Sequence, residues 1–264
     1  MIAIIAGTGK LPIEACKSLK SKQKDFFVIS LFPQDNFEDI RKVTKNIITQ
    51  KVYKAGKILE LLKEKKTTHV LLIGKVDKRN IFKKVKLDWF SIKFLASTFC
   101  KNDKTIMEEI LKIFKKNNIE VLKQSDVLKS LFVEPGVLSG KITDNIKKNI
   151  EMGMNLAKKI SESEIGQTVV IKDGMIISVE AIEGTDECVK RGIDLAKKNI
   201  VICKAACLNQ NKKYDLPTLG TNSLKSIKKG EVAAIAWQSS QTFIADKDEF
   251  VKLAKKLNIT LVSV

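Results

Sequence analysis

Two polar loops hold the residues of this chain best suited to chemistry. One is Glu183-Gly184-Thr185-Asp186-Glu187, three carboxylates in five positions. The other begins at Lys204 and runs to Asp215-Leu216-Pro217-Thr218-Leu219-Gly220. Each follows an apolar run, the place where an α/β protein lets a rigid strand carry a polar loop. Carboxylates this close raise one another's pKa unless a cation or a lysine stands beside them. Capping of a following helix by Thr185 does not explain that density of acid. Acids, threonine hydroxyls, a lysine and glycines suit a phosphate with its metal. They suit hydride or acyl transfer much less.

A third loop lies near the start. Gly7-Thr8-Gly9-Lys10-Leu11-Pro12 follows the first apolar run and opens a helix. Glycines let backbone approach an anion, and a helix N-terminus offers N–H groups. The third glycine of the dinucleotide fingerprint is replaced by Pro12, which suits the first turn of a helix. Gly7, Thr8, Gly9, Leu11 and Pro12 are therefore read as a modified loop for a phosphate or another anionic group, against a tight turn with no ligand. Gly74-Lys75-Val76 ends a later apolar run, and Lys75 could meet a phosphate or stand in solvent. Asp103 begins a helix as an N-cap that could also face a ligand.

The elements that must position these loops alternate. Strands are expected at Ile2–Ala6, Phe26–Phe32, Val70–Ile73 and Ile119–Leu122. Helices are expected at Leu11–Lys22, Ala55–Lys65 and Lys104–Asn118, where apolar residues recur at helical spacing. Such alternation implies a parallel sheet covered on both faces. Glu134-Pro135-Gly136 to Gly140 reads as a linker. Beyond it come a helix at Thr143–Ile160 and a hairpin turned by Asp173-Gly174. A helix at Asp186–Lys198, a strand at Ile200–Lys204 and a short helix at Ser223–Lys229 follow. Val232–Trp237 and Thr242–Ala245 read as paired strands. Asp246 opens a capping-box-like start to the helix ending at Leu257, and Ile259–Val264 is a last strand. The fold class is α/β: an N-terminal Rossmann-like parallel-sheet domain over 1–134 and a smaller mixed α/β catalytic domain over 135–264.

Composition removes several classes. The 264 residues contain one histidine, His69. Histidine-dependent metalloproteases, histidine-rich dinuclear phosphoesterases and Ser–His–Asp hydrolases all need more or better-placed imidazoles. A metal here must be held mainly by oxygen, which points to Mg²⁺ or Mn²⁺. Five cysteines without a CxxC pair read as free thiols in a reducing compartment, so a cytoplasmic location is expected. No apolar run reaches the ~18–20 residues of a membrane span. The net charge is +18, yet aromatics are only 6%, and no basic stripe is interleaved with them. That argues against a nucleic-acid partner. A basic surface that dwells transiently on an anionic membrane, or attracts a phosphorylated substrate, fits better.

Taken together, these residues resemble the LpxI family, the UDP-2,3-diacylglucosamine pyrophosphatases of lipid A biosynthesis. The resemblance spans nearly the whole chain. It runs through Ile5-Ala6-Gly7-Thr8-Gly9-Lys10-Leu11-Pro12, Gly74-Lys75-Val76, Asp103, Val179-Glu180-Ala181-Ile182-Glu183-Gly184-Thr185-Asp186, Lys204 and Asp215-Leu216-Pro217-Thr218-Leu219-Gly220. It implies hydrolysis of a nucleotide-activated diacylated sugar to UMP and 2,3-diacylglucosamine 1-phosphate with a divalent cation. It implies two domains joined by a linker with the acylated sugar between them, and a catalytic role for Asp215. On this reading Asp215 and Lys204 are catalytic, and Asp215, Asp186 and Glu183 hold the metal. Gly7, Thr8, Gly9, Leu11, Pro12, Lys75, Asp103, Gly184, Thr185 and Thr218 bind substrate. The enzyme would sit in the cytoplasm, peripheral to the inner membrane. The hairpin and the last strand leave room for a homodimer. Ala206–Lys213, Gln238-Ser239-Ser240 and the residues after Val76 depart from the family pattern, and Asn211 stands where an acid is usual. The rival reading is a non-catalytic nucleotide- or lipid-sugar-binding relative.

Overall fold

The computed structural model of the chain describes residues 1–76, 103–206, 211–214 and 216–264. These residues form two compact units. One is Met1–Lys129 with Lys212–Tyr214; the other is Ser130–Asn211 with Asp215–Val264.

The first unit is built on five parallel strands: β1 (Ile2–Ala6), β2 (Phe26–Ser30), β3 (Ile47–Thr49), β4 (His69–Ile73) and β5 (Glu120–Val121), in the order β3-β2-β1-β4-β5. Its central strands read as nearly continuous apolar runs because a parallel sheet is covered on both faces; all five residues of β2 are buried. Helix α1 (Leu11–Ser21) buries Pro12, Ala15, Cys16 and Leu19, one stripe at helical spacing. Helices α2 (Pro33–Val43), α3 (Ala55–Glu64) and α4 (Asp103–Lys116) complete the α/β alternation, with a short α5 (Gln124–Val127) after β5. The strand order reverses direction between β1 and β4, so the loops after these two strands face each other where an open α/β sheet usually holds its ligand.

The second unit holds β6 (Gly136–Ser139), α6 (Asp144–Glu162), β7 (Thr168–Lys172), β8 (Met175–Val179), α7 (Thr185–Ala196), β9 (Ile200–Lys204), β10 (Thr218–Leu219), β11 (Val232–Trp237), β12 (Phe243–Ile244), α8 (Lys247–Leu257) and β13 (Thr260–Ser263). Six strands form one mixed sheet in the order β6-β13-β11-β9-β7-β8. β9, β11 and β13 are parallel, while β7 runs against β9 and β8 against β7. Two cores lie on its faces. One gathers Val170, Ile202, Ile235, Trp237 and Phe250; the other gathers Met154, Val169, Ile171, Cys203 and Ala236.

Several expectations change. The segment read as a linker contains an edge strand, β6, antiparallel to β13, because Gly136–Ser139 finds open backbone groups there. Val232–Trp237 does not pair with Thr242–Ala245. β11 is held on both sides by β9 and β13, so β12 pairs instead with β10 in a separate two-stranded sheet. The short helix expected at Ser223–Lys229 is a single 3₁₀ turn at Thr221–Leu224. Asp246 does not cap α8 with its side chain; its backbone is left-handed and its carboxylate accepts from the Thr221 hydroxyl at 3.4 Å. Helix α2 and strand β3 were not expected.

Candidate functional site

The glycine loop after β1 is stitched to the loop after β4. Gly7 N–H donates to the Ile73 carbonyl at 2.8 Å, and Thr8 and Lys75 form an isolated antiparallel bridge. The Thr8 hydroxyl also donates to the Lys75 carbonyl at 3.2 Å. A Cβ on Gly7 would lie 2.4 Å from that carbonyl oxygen, and one on Gly74 would lie 2.8 Å from the Gly7 carbonyl carbon and 2.9 Å from Pro12. These glycines thus serve backbone-on-backbone contact, and the buried Pro12 packs where a third glycine would have left space. Gly9 N–H donates to the Asp35 carboxylate at 2.6 Å, while the Asn36 amide donates to the Gly7 and Gly9 carbonyls at 2.9 Å each. The N–H groups of Gly7, Thr8 and Gly9 are therefore engaged within the protein, the last by an anion of its own. Leu11 opens α1 half-buried, and the Lys75 side chain is exposed. Asp103 opens α4, and its side chain lies outside the described residues.

The second unit offers a cation where the first offers a carboxylate. Lys204 ends β9, and the register sets Thr168 opposite it on one side and Trp237 on the other. β8 runs in the same sense as β9, so Glu180, which follows β8, comes to the same end of the sheet. Lys204 is buried, at 6% exposure. Its Nζ donates to Thr185 Oγ1 at 2.8 Å and to Thr168 Oγ1 at 3.2 Å. Glu180 Oε2 stands 4.0 Å away, and Glu180 Oε1 accepts from the Thr185 hydroxyl at 3.0 Å. Thr185 is the first residue of α7, so the positive end of that helix dipole adds to the lysine. The result is a buried ammonium with two hydroxyls and a carboxylate, an arrangement able to hold phosphoryl oxygens.

The sequence candidates divide around this cluster. Lys204 and Thr185 come together, with Gly184 immediately before the helix. Thr218 lies in β10, half-buried, its hydroxyl donating to the Leu216 carbonyl at 3.4 Å. Glu183 turns elsewhere. One of its oxygens accepts from Arg191 at 2.5 Å and the other from Ala181 N–H at 3.2 Å. Hydrogen bonds from its own amide and from Arg191 hold its carboxyl below the ordinary carboxylate range. Asp186 stands exposed in the first turn of α7, where an acid favours the helix dipole. Among the described residues no three His, Cys, Asp or Glu side chains converge as a metal site. Asp215 lies outside the described residues. Sequence reasoning did not single out Glu180 or Thr168 as site residues. The available signal was register: Thr168 pairs with Lys204, and Glu180 directly follows the strand on the other side of β7.

A model of the LpxI N-terminal domain matches residues 1–131, and one of the LpxI C-terminal domain matches residues 134–262. The chain belongs to the LpxI family. It is 25% identical to the UDP-2,3-diacylglucosamine pyrophosphatase LpxI of Caulobacter vibrioides, over all of this chain and 97% of that protein. Among solved structures, a biotin carboxylase–ATP analogue complex from Campylobacter jejuni covers 74% of this chain and 42% of its own, at 12% identity. Its TM-score of 0.26 is too low to carry an argument. Within this LpxI family member, Gln238, one of the departures from the family pattern, has a structural use. Its side-chain oxygen accepts from Ala206 N–H at 3.1 Å and its own N–H donates to the Lys204 carbonyl at 3.2 Å, so it ties down the chain leaving β9.

Proposed function

We propose that this chain hydrolyses the pyrophosphate bond of UDP-2,3-diacylglucosamine, releasing UMP and 2,3-diacylglucosamine 1-phosphate for lipid A synthesis. The observation that carries the reading is the buried Lys204 ammonium, set between two threonine hydroxyls at the end of a parallel strand beside a helix N-terminus. Membership of the LpxI family across both halves supports it. Lys204 stabilises the phosphoryl oxygens as water attacks and charge develops on them. Thr185 fixes the direction of the ammonium. Asp215, by resemblance the family's Asp-Leu-Pro aspartate, belongs to the same chemistry.

Mg²⁺ or Mn²⁺ would supply neutralisation of the diphosphate. The described residues form no ligand set for it: Glu183 is paired with Arg191, Glu180 serves Lys204 and Thr185, and Asp186 stands exposed. The cation requirement is accordingly proposed from the resemblance alone. No helix among the described residues is long and apolar enough to cross a membrane. With a net charge of +18, we propose cytoplasmic protein that visits the anionic inner-membrane surface where a diacylated substrate resides.

The test is incubation of the purified protein with UDP-2,3-diacylglucosamine, with EDTA and with added Mg²⁺ or Mn²⁺, following UMP and the sugar 1-phosphate. Cation-dependent product that disappears in Asp215→Ala is the expected result. Tight substrate binding with no product under any cation would overturn hydrolysis in favour of a binding relative.

A further inference from the structure

The positive charge of this chain is unevenly shared. Met1–Lys129 with Lys212–Tyr214 hold 30 Lys or Arg against 14 Asp or Glu, a net of +16. The second unit holds 18 against 16, a net of +2. A lysine-rich composition alone would load both units. Within the first unit the topology gathers the charge further. Its five strands are parallel, so the turn that leads from each helix into the next strand lies at one end of the sheet, opposite the loops after β1 and β4. Residues 20–25, 41–46, 63–68 and 112–119 are these four turns with the helix ends that enter them. They hold twelve Lys or Arg and two acids, Asp25 and Glu64. All twelve cations are exposed.

Backbone bonds set the turns side by side. Ile2 N–H donates to the Asp25 carbonyl at 3.1 Å, Thr68 N–H to the Met1 carbonyl at 3.1 Å and Glu120 N–H to the Thr68 carbonyl at 2.9 Å. Three turns leave their helix alike. A residue with left-handed backbone, Gln23, Lys66 or Asn118, is followed by an N–H that donates to the carbonyl of Leu19, Leu62 or Phe114. Helix ends closed in this way already have their carbonyls served, and Lys66 puts a lysine where glycine is favoured. Helix dipoles account for a base in each last turn. They account less well for Lys22, Lys24, Lys45, Lys65 and Lys66, which lie past the helix ends. Arg41, Lys42 and Lys112 each face an acid three residues back, while Lys24, Lys45, Lys65 and Lys66 enter no ion pair among the described residues. Five strands about 4.8 Å apart make this end about 20 Å wide, a breadth that suits a plane of negative charge. Eleven of its twelve cations are lysines, point charges rather than the planar forks that grip phosphates one by one. The one aromatic in the four turns, Phe114, is buried and offers no surface for base stacking.

We propose that this end of the first unit, where the helices close and the strands begin, is the face by which the protein docks on an anionic lipid bilayer. The inference rests on the membrane-surface reading above and adds to it the docking face. The attachment is electrostatic and reversible, because many exposed lysines meet the surface potential of the lipid without an apolar wedge. Docked this way, the loops after β1 and β4 stay uncovered on the far side, and a diacylated substrate leaves the bilayer to reach them.

The test is co-sedimentation of the full chain with vesicles of phosphatidylcholine, alone or with about 30% phosphatidylglycerol. Wild type should partition onto the anionic vesicles at about 0.1 M salt, come off by about 0.5 M and ignore the neutral ones. Lys24→Gln/Lys45→Gln/Lys65→Gln, one lysine from each of three turns, should lower the partition about 100-fold. Lys158→Gln/Lys229→Gln/Lys252→Gln, the same charge loss on exposed residues of the second unit, should lower it less than about threefold. Hydrolysis of UDP-2,3-diacylglucosamine in detergent micelles should be equal in wild type and both variants. Should the first variant fail to fold by circular dichroism, its single substitutions carry the test at about fivefold each. Equal losses of partition in the two variants overturn the assignment of the face. Tighter binding of wild type to duplex DNA than to anionic vesicles overturns the choice of a bilayer. A wild type that ignores anionic vesicles at low salt overturns the docking and the membrane-surface reading together, and leaves hydrolysis standing. Vesicle binding lost in the first variant, with no hydrolysis by wild type, overturns the reaction and upholds the docking face.

Discussion

The two strand-end sites of this protein obey one topological rule and carry opposite charge. After β1, the N–H groups of the glycine loop are engaged by neighbouring backbone, and the Gly9 amide is held by the Asp35 carboxylate. After β9, the buried Lys204 ammonium donates to two threonine hydroxyls, and the Glu180 carboxylate stands 4.0 Å away. The loop that looks like an anion cradle by composition is closed by its own chain. The lysine that could pass for surface is enclosed. Glycine content measures how close backbone can come to something. It does not say whether that something is a phosphate or another strand's loop.

Replacing the cation is the strongest way to break this contrast. Lys204→Met should lower hydrolysis about 10²–10³-fold and destabilise the fold by about 3–5 kcal/mol, since Glu180 is left buried without its partner. Urea melts and initial rates check both, and a wild-type rate would remove Lys204 from the chemistry. Next comes the stitched loop. Gly74 has a left-handed backbone, φ 95°, and no room for a methyl group, whereas Gly9, φ 91°, faces open space. Gly74→Ala should cost about 3 kcal/mol and Gly9→Ala only about 1–2 kcal/mol from backbone strain. Equal losses in thermal melts would mean that contact with Thr8 and Pro12 is unimportant.

A smaller effect sharpens the charge argument. Asp35→Ala should cost about 1 kcal/mol and tighten UMP binding about fivefold, one surface charge's worth, if the glycine loop lies near the nucleotide. Calorimetry showing no tightening would place UMP elsewhere. The smallest concerns two of the buried thiols, one from each unit. Burial pushes Cys16 and Cys203 up to about 12. A raised acid stays neutral in the folded protein while the unfolded thiol ionises from about pH 9. Stability is thus whole below pH 9 and falls between there and about 12. Cys16→Ala or Cys203→Ala should each flatten that alkaline slope in urea melts at pH 8 to 11.

Local signals carried much of this molecule. The apolar runs of β1, β2, β4 and β9 announced themselves, and Asp173-Gly174 fixed the hairpin of β7 and β8 as antiparallel neighbours. Helix α2 escaped because it buries only Asn36 and Ile40, too little for a periodic stripe. β3 is three residues long. The partner of β12 could not be foreseen because both edges of β11 were already claimed by strands distant in sequence. At the site, Lys204 and Thr185 were legible as residue types at strand and helix ends. Glu180 was not, because acid density drew attention to Glu183. What separates the two is Arg191, eight residues beyond Glu183 and one turn from the end of α7, a matter of which face of the helix meets the loop.

The segment Lys212–Tyr214 belongs to the first unit although the chain around it belongs to the second. The Lys212 carbonyl accepts from Gln124 N–H at 2.7 Å, and Tyr214 packs against the core of the five-stranded sheet. The covalent path therefore crosses between the units three times, so the boundary near residue 130 is no clean seam for recombination. A gene fragment ending there would encode a first unit lacking a piece of its own wall. Halves exchanged between distant relatives would inherit a mismatched patch at Tyr214. Such a connection ties the histories of the two units together, and substitutions around residues 212–214 should be answered by changes near Gln124 rather than by their sequence neighbours.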